Sequence, residues 1–369
     1  MATLFKEIAI MLPSMTGGGT ERAALLLANH WAERGVKVRL ILFRREGVLL
    51  EELHSDIQVD SLDCNQPLVV VWRLVHYLRR NKIHTLLCLL NPVNAIAVCA
   101  KMLGGLDVRI VATVHNHLGA KYKHTPSMLN GLRLKVIACA LRQADHVIAV
   151  SDSIKDLICK TLGVDEREVS VIYNPVRLQP AELLEFSRPR HPYFNESNGP
   201  VLIAAGRLTR QKNFQLLLRA MVCLPENVRL VILGEGEDRL ALEALCEELN
   251  LGTRVSLAGF QSKPLEWFKA ADCYVMSSDW EGFPFVLLEA LSVGLSVVST
   301  DCPSGPAELL DYGKYGRLVP SGDFHALADA IQEELSCQRD PQVLIRRVDA
   351  FNIVTVCEQY EVCLLRLAE

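Results

Sequence analysis

Short, unbroken apolar runs alternate with helical patterns along nearly the whole chain, and this alternation limits the fold more than any other feature. One set of runs lies at residues 8–12, 36–43, 85–90, 108–114, 146–150 and 169–173. A second set lies at 201–205, 229–233, 255–258, 273–277, 295–300 and 317–319. Runs that are apolar at every position, rather than at every second one, suit strands covered on both faces. Strands separated by helices imply parallel sheets flanked by helices. The stretch 83–103 approaches membrane length, but it contains His84, Asn91, Pro92, Asn94 and Lys101. It reads as a strand followed by a helix, because a span needs about 20 nearly unbroken apolar residues.

The pattern breaks between 176 and 200, where Pro180, Pro189, Pro192 and Pro200 accompany Asn195, Ser197, Asn198 and Gly199. Such composition marks a linker. We expect an α/β domain over 1–176, a linker over 177–199 and a second α/β domain over 200–351. With 369 residues, half of them hydrophobic, the chain can fill two cores. Residues 1–176 hold 21 Lys and Arg against 16 Asp and Glu, and the remainder holds 18 against 27. A basic half and an acidic half suggest different partners. Nucleic acid is not among them, since no dense basic run appears. The twelve cysteines include no Cys-x-x-Cys pair. Those in apolar runs, such as Cys88, Cys99 and Cys273, read as small buried hydrophobes in a reducing cytosol. No signal peptide is expected, because the first residues lead straight into a strand-like run.

Four clusters carry chemistry. Gly17, Gly18 and Gly19 stand between the first run and a helix expected from Thr20, which could cap it. Glycines let backbone approach a ligand, and a helix start favours an anion. A third glycine is missing where Arg22 stands, so this is not the dinucleotide fingerprint. Gly206 and Arg207, then Lys212, follow the run 201–205, which puts two cations beyond a strand's carboxyl end. Arg can clamp a phosphate bidentately and Lys adds a point charge. Glu281, Gly282, Phe283 and Pro284 follow the run 273–277 and open a helix that carries Glu289. The amides of Gly282, Phe283, Phe285 and Val286 are donors at that helix start. Carboxylates there suit sugar hydroxyls, which they accept in pairs. His115, Asn116 and His117 follow the run 108–114. A metal site on the two histidines lacks a third ligand at a usual spacing, and His115 reads as a hydrogen-bonding residue at a cleft mouth.

Together these residues resemble the family-four retaining glycosyltransferases, which have the GT-B fold of two Rossmann-like domains facing a cleft. The match is strongest from Ala205 to Asp323. It rests on Gly206-Arg207-Leu208 with Gln211-Lys212-Asn213, on Gly234-Glu235-Gly236, and on Ala258-Gly259-Phe260. Glu281 with Glu289 and Gly316 through Pro320 complete it, and residues 17–21 and His115 match in the first half. Cys302 through Pro306 is similar to members that build bacterial surface polysaccharides or lipid-linked oligosaccharides.

The resemblance implies a UDP-sugar donor, with Arg207 and Lys212 on its diphosphate, Glu289 on the ribose and Glu281 on the sugar. Gly18, Gly19 and Gly259 would line the donor site, Phe260 would line the base pocket, and His115 would touch the sugar. It also implies retention at the anomeric carbon, no protein nucleophile, and a final helix (352–369) packed on the first domain. No Asp-x-Asp triplet occurs in the chain, so no divalent metal and no cofactor are expected. A nucleotide-sugar 2-epimerase of the same fold, or a non-catalytic partner subunit, is the alternative. The acceptor is expected to be a saccharide on a lipid diphosphate. The first domain would then rest on anionic lipid at the inner face of a membrane, through 72–82 or 121–142. Both segments mix Lys and Arg with apolar side chains.

Overall fold

A computed structural model describes residues 5–116, 119, 130–176, 187–195, 199–337 and 339–367. The chain divides into two compact units, Met1–Arg177 with Phe351–Glu369, and Leu178–Ala350. Each is a parallel sheet with helices on its faces.

The first unit has seven strands: β1 (Glu7–Leu12), β2 (Lys37–Leu42), β3 (Gln58–Ser61), β4 (Thr85–Leu89), β5 (Arg109–Val114), β6 (His146–Ala149) and β7 (Val169–Val171). Their order is β3-β2-β1-β4-β5-β6-β7. Its helices are α1 (Gly19–Glu33), α2 (Pro67–Asn81), α3 (Asn91–Gly104), α4 (Asn130–Gln143) and α5 (Asp152–Lys160). The second unit has β8 (Val201–Ala205), β9 (Arg229–Leu233), β10 (Val255–Gly259), β11 (Cys273–Met276), β12 (Val297–Thr300) and β13 (Arg317–Val319), ordered β10-β9-β8-β11-β12-β13. Its main helices are α6 (Phe214–Cys223), α7 (Arg239–Glu248), α8 (Pro264–Ala270), α9 (Phe285–Ser292), α10 (Phe324–Ser336) and α11 (Pro341–Val348). The last helix, α12 (Ile353–Arg366), belongs to the first unit.

All the apolar runs became strands. Ile8 to Leu12 and Leu202 to Ala204 are each no more than 1% exposed, as strands covered on both faces must be. The strand that the apolar pattern does not reveal is β3. Its sequence Gln-Val-Asp-Ser is mostly polar because it lies at the sheet's edge, where one side stays wet.

The two cores are separate. In the first, Trp31 of α1 lies edge-on to Tyr360 of α12, with centroids 6.1 Å apart. Both rings are fully buried, and such a pair adds about 0.5–1.5 kcal/mol beyond its burial. Asn352 caps α12 by accepting from Val354 N at 3.1 Å, and Ile353 N donates to Val176 O. The chain's end is thereby stitched beside the end of β7. In the second core, Leu217, Met221, Leu230, Ile232, Val275 and Ile331 pack α6 and α10 on the sheet.

Two local expectations are corrected. Helix α1 begins at Gly19, and Gly18 occupies the cap position without a side-chain bond, so Thr20 is no cap. Cys99 is exposed, because it lies on the outward side of α3, whereas Cys88 and Cys273 are buried. Every cysteine is a free thiol.

Candidate functional site

Parallel sheets bind ligands outside the carboxyl ends of strands, at the point where strand order reverses. In the second unit that point lies between β8 and β11. The segments that follow these two strands are 206–213 and 277–284, which hold the cations and the first glutamate singled out above.

The β8 segment turns at Gly206, which has φ +153°. A Cβ there would come within 2.9 Å of Lys212 Cε, so glycine lets the lysine stem lie against the turn. Neighbouring loops are laid on this one with little clearance. Gly206 N donates to Leu233 O at 2.9 Å, Leu208 N to Glu235 O at 3.0 Å, and Gly234 N to Gly259 O at 2.8 Å. A Cβ on Gly234 would stand 2.0 Å from Gly206 O, and one on Gly236 would stand 2.2 Å from Leu208 O. The glycines of the 234–236 and 259 turns thus set the shape of the Arg207 loop. Arg207 itself is exposed and forms no ion pair among the described residues. The segment ends at Asn213, whose left-handed backbone (φ 44°) and side chain cap α6 at Leu216 N.

Lys212 and Glu281 meet. Lys212 Nζ is 2.6 Å from Glu281 Oε1, and both side chains are largely buried. Ser278 Oγ donates to the same oxygen at 2.7 Å, and Gln211 Nε2 reaches Oε2 at 3.4 Å. Further bonds lock the two segments together. Gln211 Nε2 donates to Trp280 O, Asn213 Nδ2 to Asp279 Oδ1, Asp279 N to Gln211 O, and Ser277 Oγ to Lys212 O. Ser304 Oγ donates to Glu281 O at 2.6 Å and ties in the segment after β12. This pairing differs from the separate roles that the sequence suggested for the two residues. Its chemistry leaves capacity in both. An ammonium has three donors, and a carboxylate has about four acceptor sites, most of those on Oε2 still open.

Helix α9 starts at Phe285 with Pro284 as its cap residue. The amides of Phe285 and Val286 therefore have no partner within the helix. Gly305 lies over this start, since a Cβ there would fall 2.6 Å from Pro284 Cδ. Glu289 is half-buried in the middle of α9. Tyr274 on β11 is buried, donates to Ala205 O at 3.5 Å, and feels both carboxylates. Burial first, then the charges of Glu281 and Glu289, push its phenol far above the usual range, so it stays neutral. Phe260, after β10, is 73% exposed and offers an open ring face.

Tyr274 and Ser278 were missed as parts of this site, and Gln211 and Ser304 stood in the matched motifs without a role. Tyr274, Gln211 and Ser304 support it by bonds across 23 to 70 positions of chain, which no local spacing records, whereas Ser278 bonds Glu281 three positions away. Ser277 and Ser278 did carry a signal, being hydroxyls at the carboxyl end of a buried strand.

In the first unit Gly18 and Gly19 follow β1, one of the two strands at that sheet's own reversal point. His115 follows β5 and is 6% exposed. Burial pushes its pKa down to about 4, against the opposing effect of a hydrogen bond with Asn174. The imidazole is therefore neutral above about pH 5. His117 lies outside the described residues, as do 121–129 of the second basic segment. Among the described residues no three metal-ligating side chains cluster.

Two family models match the chain. Residues 17–179 match "Glycosyltransferase Family 4" and residues 188–349 match "Glycosyl transferases group 1". A transferase of Campylobacter jejuni, named for adding N-acetylgalactosamine to a diphospho-undecaprenol-linked sugar, is 27% identical over 89% of this chain and 90% of its own. The lipopolysaccharide 1,6-galactosyltransferase of Escherichia coli is 31% identical over 62% of this chain and 59% of its own. An uncharacterised glycosyltransferase of Methanocaldococcus jannaschii is 34% identical over 58% and 56%. The chain thus spans under two thirds of the last two relatives. Among solved structures, an Anabaena protein in complex with UDP-glucose superposes with a TM-score of 0.81 at 21% identity, covering 98% of this chain and 100% of that one. A lipopolysaccharide outer core galactosyltransferase gives 0.77 at 21%, covering 98% and 99%. The GT-B fold is thereby shared.

Proposed function

Because this chain belongs to the glycosyltransferases, with a family 4 domain in its first half and a group 1 domain in its second, we propose that it moves a hexose or N-acetylhexosamine from a UDP-sugar to a saccharide acceptor. The observation that carries this reading is the pairing of Lys212 with Glu281 at the reversal point of the second sheet, beside Arg207 and the start of α9. It combines cations for a diphosphate with carboxylates for hydroxyls in one crevice. Arg207 and the spare donors of Lys212 bind the diphosphate, with the amides of Gly282, Phe283, Phe285 and Val286 beside them. Glu289 takes the ribose hydroxyls and Phe260 stacks on the base. Glu281 offers Oε2 to the sugar. Transfer proceeds with retention and without a metal or cofactor, because fixed cations and amides stabilise the charge on the departing diphosphate. A UDP-sugar is also what the Anabaena protein of the same fold holds in its complex with UDP-glucose.

The reading is tested at Arg207. Losing a charge-assisted phosphate contact costs about 1.5–3 kcal/mol. Calorimetric titration should show UDP binding about 10- to 100-fold weaker in Arg207→Ala. Unchanged affinity would remove Arg207 from the site.

The acceptor is proposed to be lipid-linked, as the name of the Campylobacter relative states for that protein. No helix among the described residues is long and apolar enough to cross a membrane, so contact would be peripheral. Helix α2 exposes Leu68 (86%) and Trp72 (71%) with Arg80, while the guanidiniums of Arg73 and Arg79 donate to the backbone carbonyls of Leu62, Asp63 and Gly104. Leu132 and Val136 of α4 and Met102 and Leu103 of α3 are also exposed. Tyr77 is not part of this face, because its hydroxyl donates to Asp60 at 2.6 Å. Each close basic residue adds about 1 kcal/mol on anionic lipid. The protein should float with anionic liposomes at low salt and less at high salt, and Trp72→Glu should weaken flotation. Failure to float under any condition would favour a soluble acceptor.

A further inference from the structure

The segment after β12 holds the backbone of Glu281 from both sides. Glu281 N donates to Pro303 O at 3.3 Å, and Ser304 Oγ donates to Glu281 O at 2.6 Å. The Glu281 side chain is held separately, by Lys212, Ser278 and Gln211. Thr300 Oγ1, at the end of β12, donates to Ser278 O at 2.7 Å and joins the two segments again. Gly305 then lies over the next residues, since a Cβ there would stand 3.2 Å from Gly282 O and 3.4 Å from Phe283 Cα. Cys302 through Pro306 thus runs along 281–284, the stretch that leads into α9.

Ser304 stands against its own backbone preference. Its φ is 62°, in the left-handed region that glycine adopts freely and other residues seldom do. Glycine would therefore suit this position, as it does the next one, but it has no hydroxyl. Ser304 is 5% exposed, so the hydroxyl serves a protein partner rather than bulk water. That partner is a carbonyl, and a carbonyl shares its rigid plane with the N–H of the following residue. No peptide bond among the described residues is cis, and across a trans peptide the N–H points opposite the C=O. The bond that fixes Glu281 O therefore also fixes the direction of the Gly282 N–H, away from Ser304. Strained residues that their surroundings hold in place gather at functional sites.

We infer that Ser304 is a positioning residue, which acts through the Glu281–Gly282 peptide to aim the Gly282 N–H at the donor's diphosphate. This rests on the glycosyltransferase reading, which places the diphosphate at the amides around the start of α9, and deepens it. An amide that is already aimed needs no reorganisation when charge develops on the departing group. Without the hydroxyl, Glu281 O loses its side-chain donor and the peptide plane is free to tilt. A hydrogen bond weakens steeply as its donor angle falls, so a tilted amide holds an anion poorly. The left-handed serine is what that orientation requires, and it gives Cys302 through Pro306 a physical use.

The experiment compares two substitutions in the full chain that both remove the hydroxyl. Ser304→Gly relieves the left-handed backbone, and Ser304→Ala keeps it. Thermal unfolding should therefore rank the glycine variant above the alanine variant. Calorimetric titration should show both binding UDP about 5-fold more weakly than the parent, by the same factor despite their different stabilities. A UDP loss that is confined to the alanine variant, or that follows the melting order, gives Ser304 a structural role alone and overturns the inference. A glycine variant that does not fold does the same. If Ser304→Gly binds UDP as the parent does while Arg207→Ala binds it weakly, the inference falls and the glycosyltransferase reading stands. If the parent itself binds no UDP, both fall.

Discussion

Lys212→Ala should lower transfer by about 10²–10³-fold and destabilise the second unit by about 3 kcal/mol. The two losses have one cause. Glu281 is 6% exposed, and Lys212 is its cationic partner at 2.6 Å. Removing the lysine strands a carboxylate that, among the described residues, keeps side-chain hydrogen bonds from Ser278 and Gln211 alone. Lys212 keeps some exposure, so the low end of the usual range for broken buried pairs applies. A double-mutant cycle separates structure from chemistry. The pair Lys212→Met with Glu281→Gln removes both charges and should recover most of the stability, as buried pairs replaced together often do. It should not recover transfer. Urea unfolding and turnover measured on all four proteins decide the matter. A single variant as stable as the parent would mean that the ion pair is not formed in solution.

Gly234→Ala should be the most disruptive of the conservative changes. Its φ is +136°, and the new Cβ would stand 2.0 Å from Gly206 O. A side chain in such backbone costs about 1–3 kcal/mol, and forcing a backbone carbonyl aside costs a similar amount. The carbonyl belongs to the residue before Arg207, so UDP affinity should fall with stability. Gly322→Ala is the control. Its φ is +86° with nothing within 4 Å of the new Cβ, so it meets the backbone strain without the collision. The expected result is a loss for Gly234→Ala at least twice that of Gly322→Ala, with UDP binding weakened only in the former. Equal losses would show that the stacked glycine turns do not shape the Arg207 loop.

Much of the fold is written in runs such as Val201 to Ala205, apolar at every position because both faces are covered. β3 was silent because an edge strand needs few apolar residues, and its single valine makes no pattern. Within the candidate site, Arg207, Lys212 and Glu281 could be found because each follows a buried strand, and Glu289 because it rides the helix that follows Pro284. Their pairing could not. Lys212 and Glu281 are 69 positions apart, and the sequence places each at a strand end without saying that β8 and β11 are neighbours. The same holds for Tyr274, whose site role depends on two carboxylates above its strand rather than on its neighbours in sequence.

The central claim is that this chain transfers sugar from a UDP-sugar with its own cations in place of a metal. The most direct measurement is UDP release from a panel of UDP-sugars, with a diphosphate-lipid-linked sugar as acceptor, after exhaustive EDTA treatment. The account predicts acceptor-dependent release from at least one donor, a product with the donor's anomeric configuration, and release lowered about 10²–10³-fold in Lys212→Ala. Activity lost with EDTA and restored by magnesium or manganese, or release that ignores the acceptor, would contradict it.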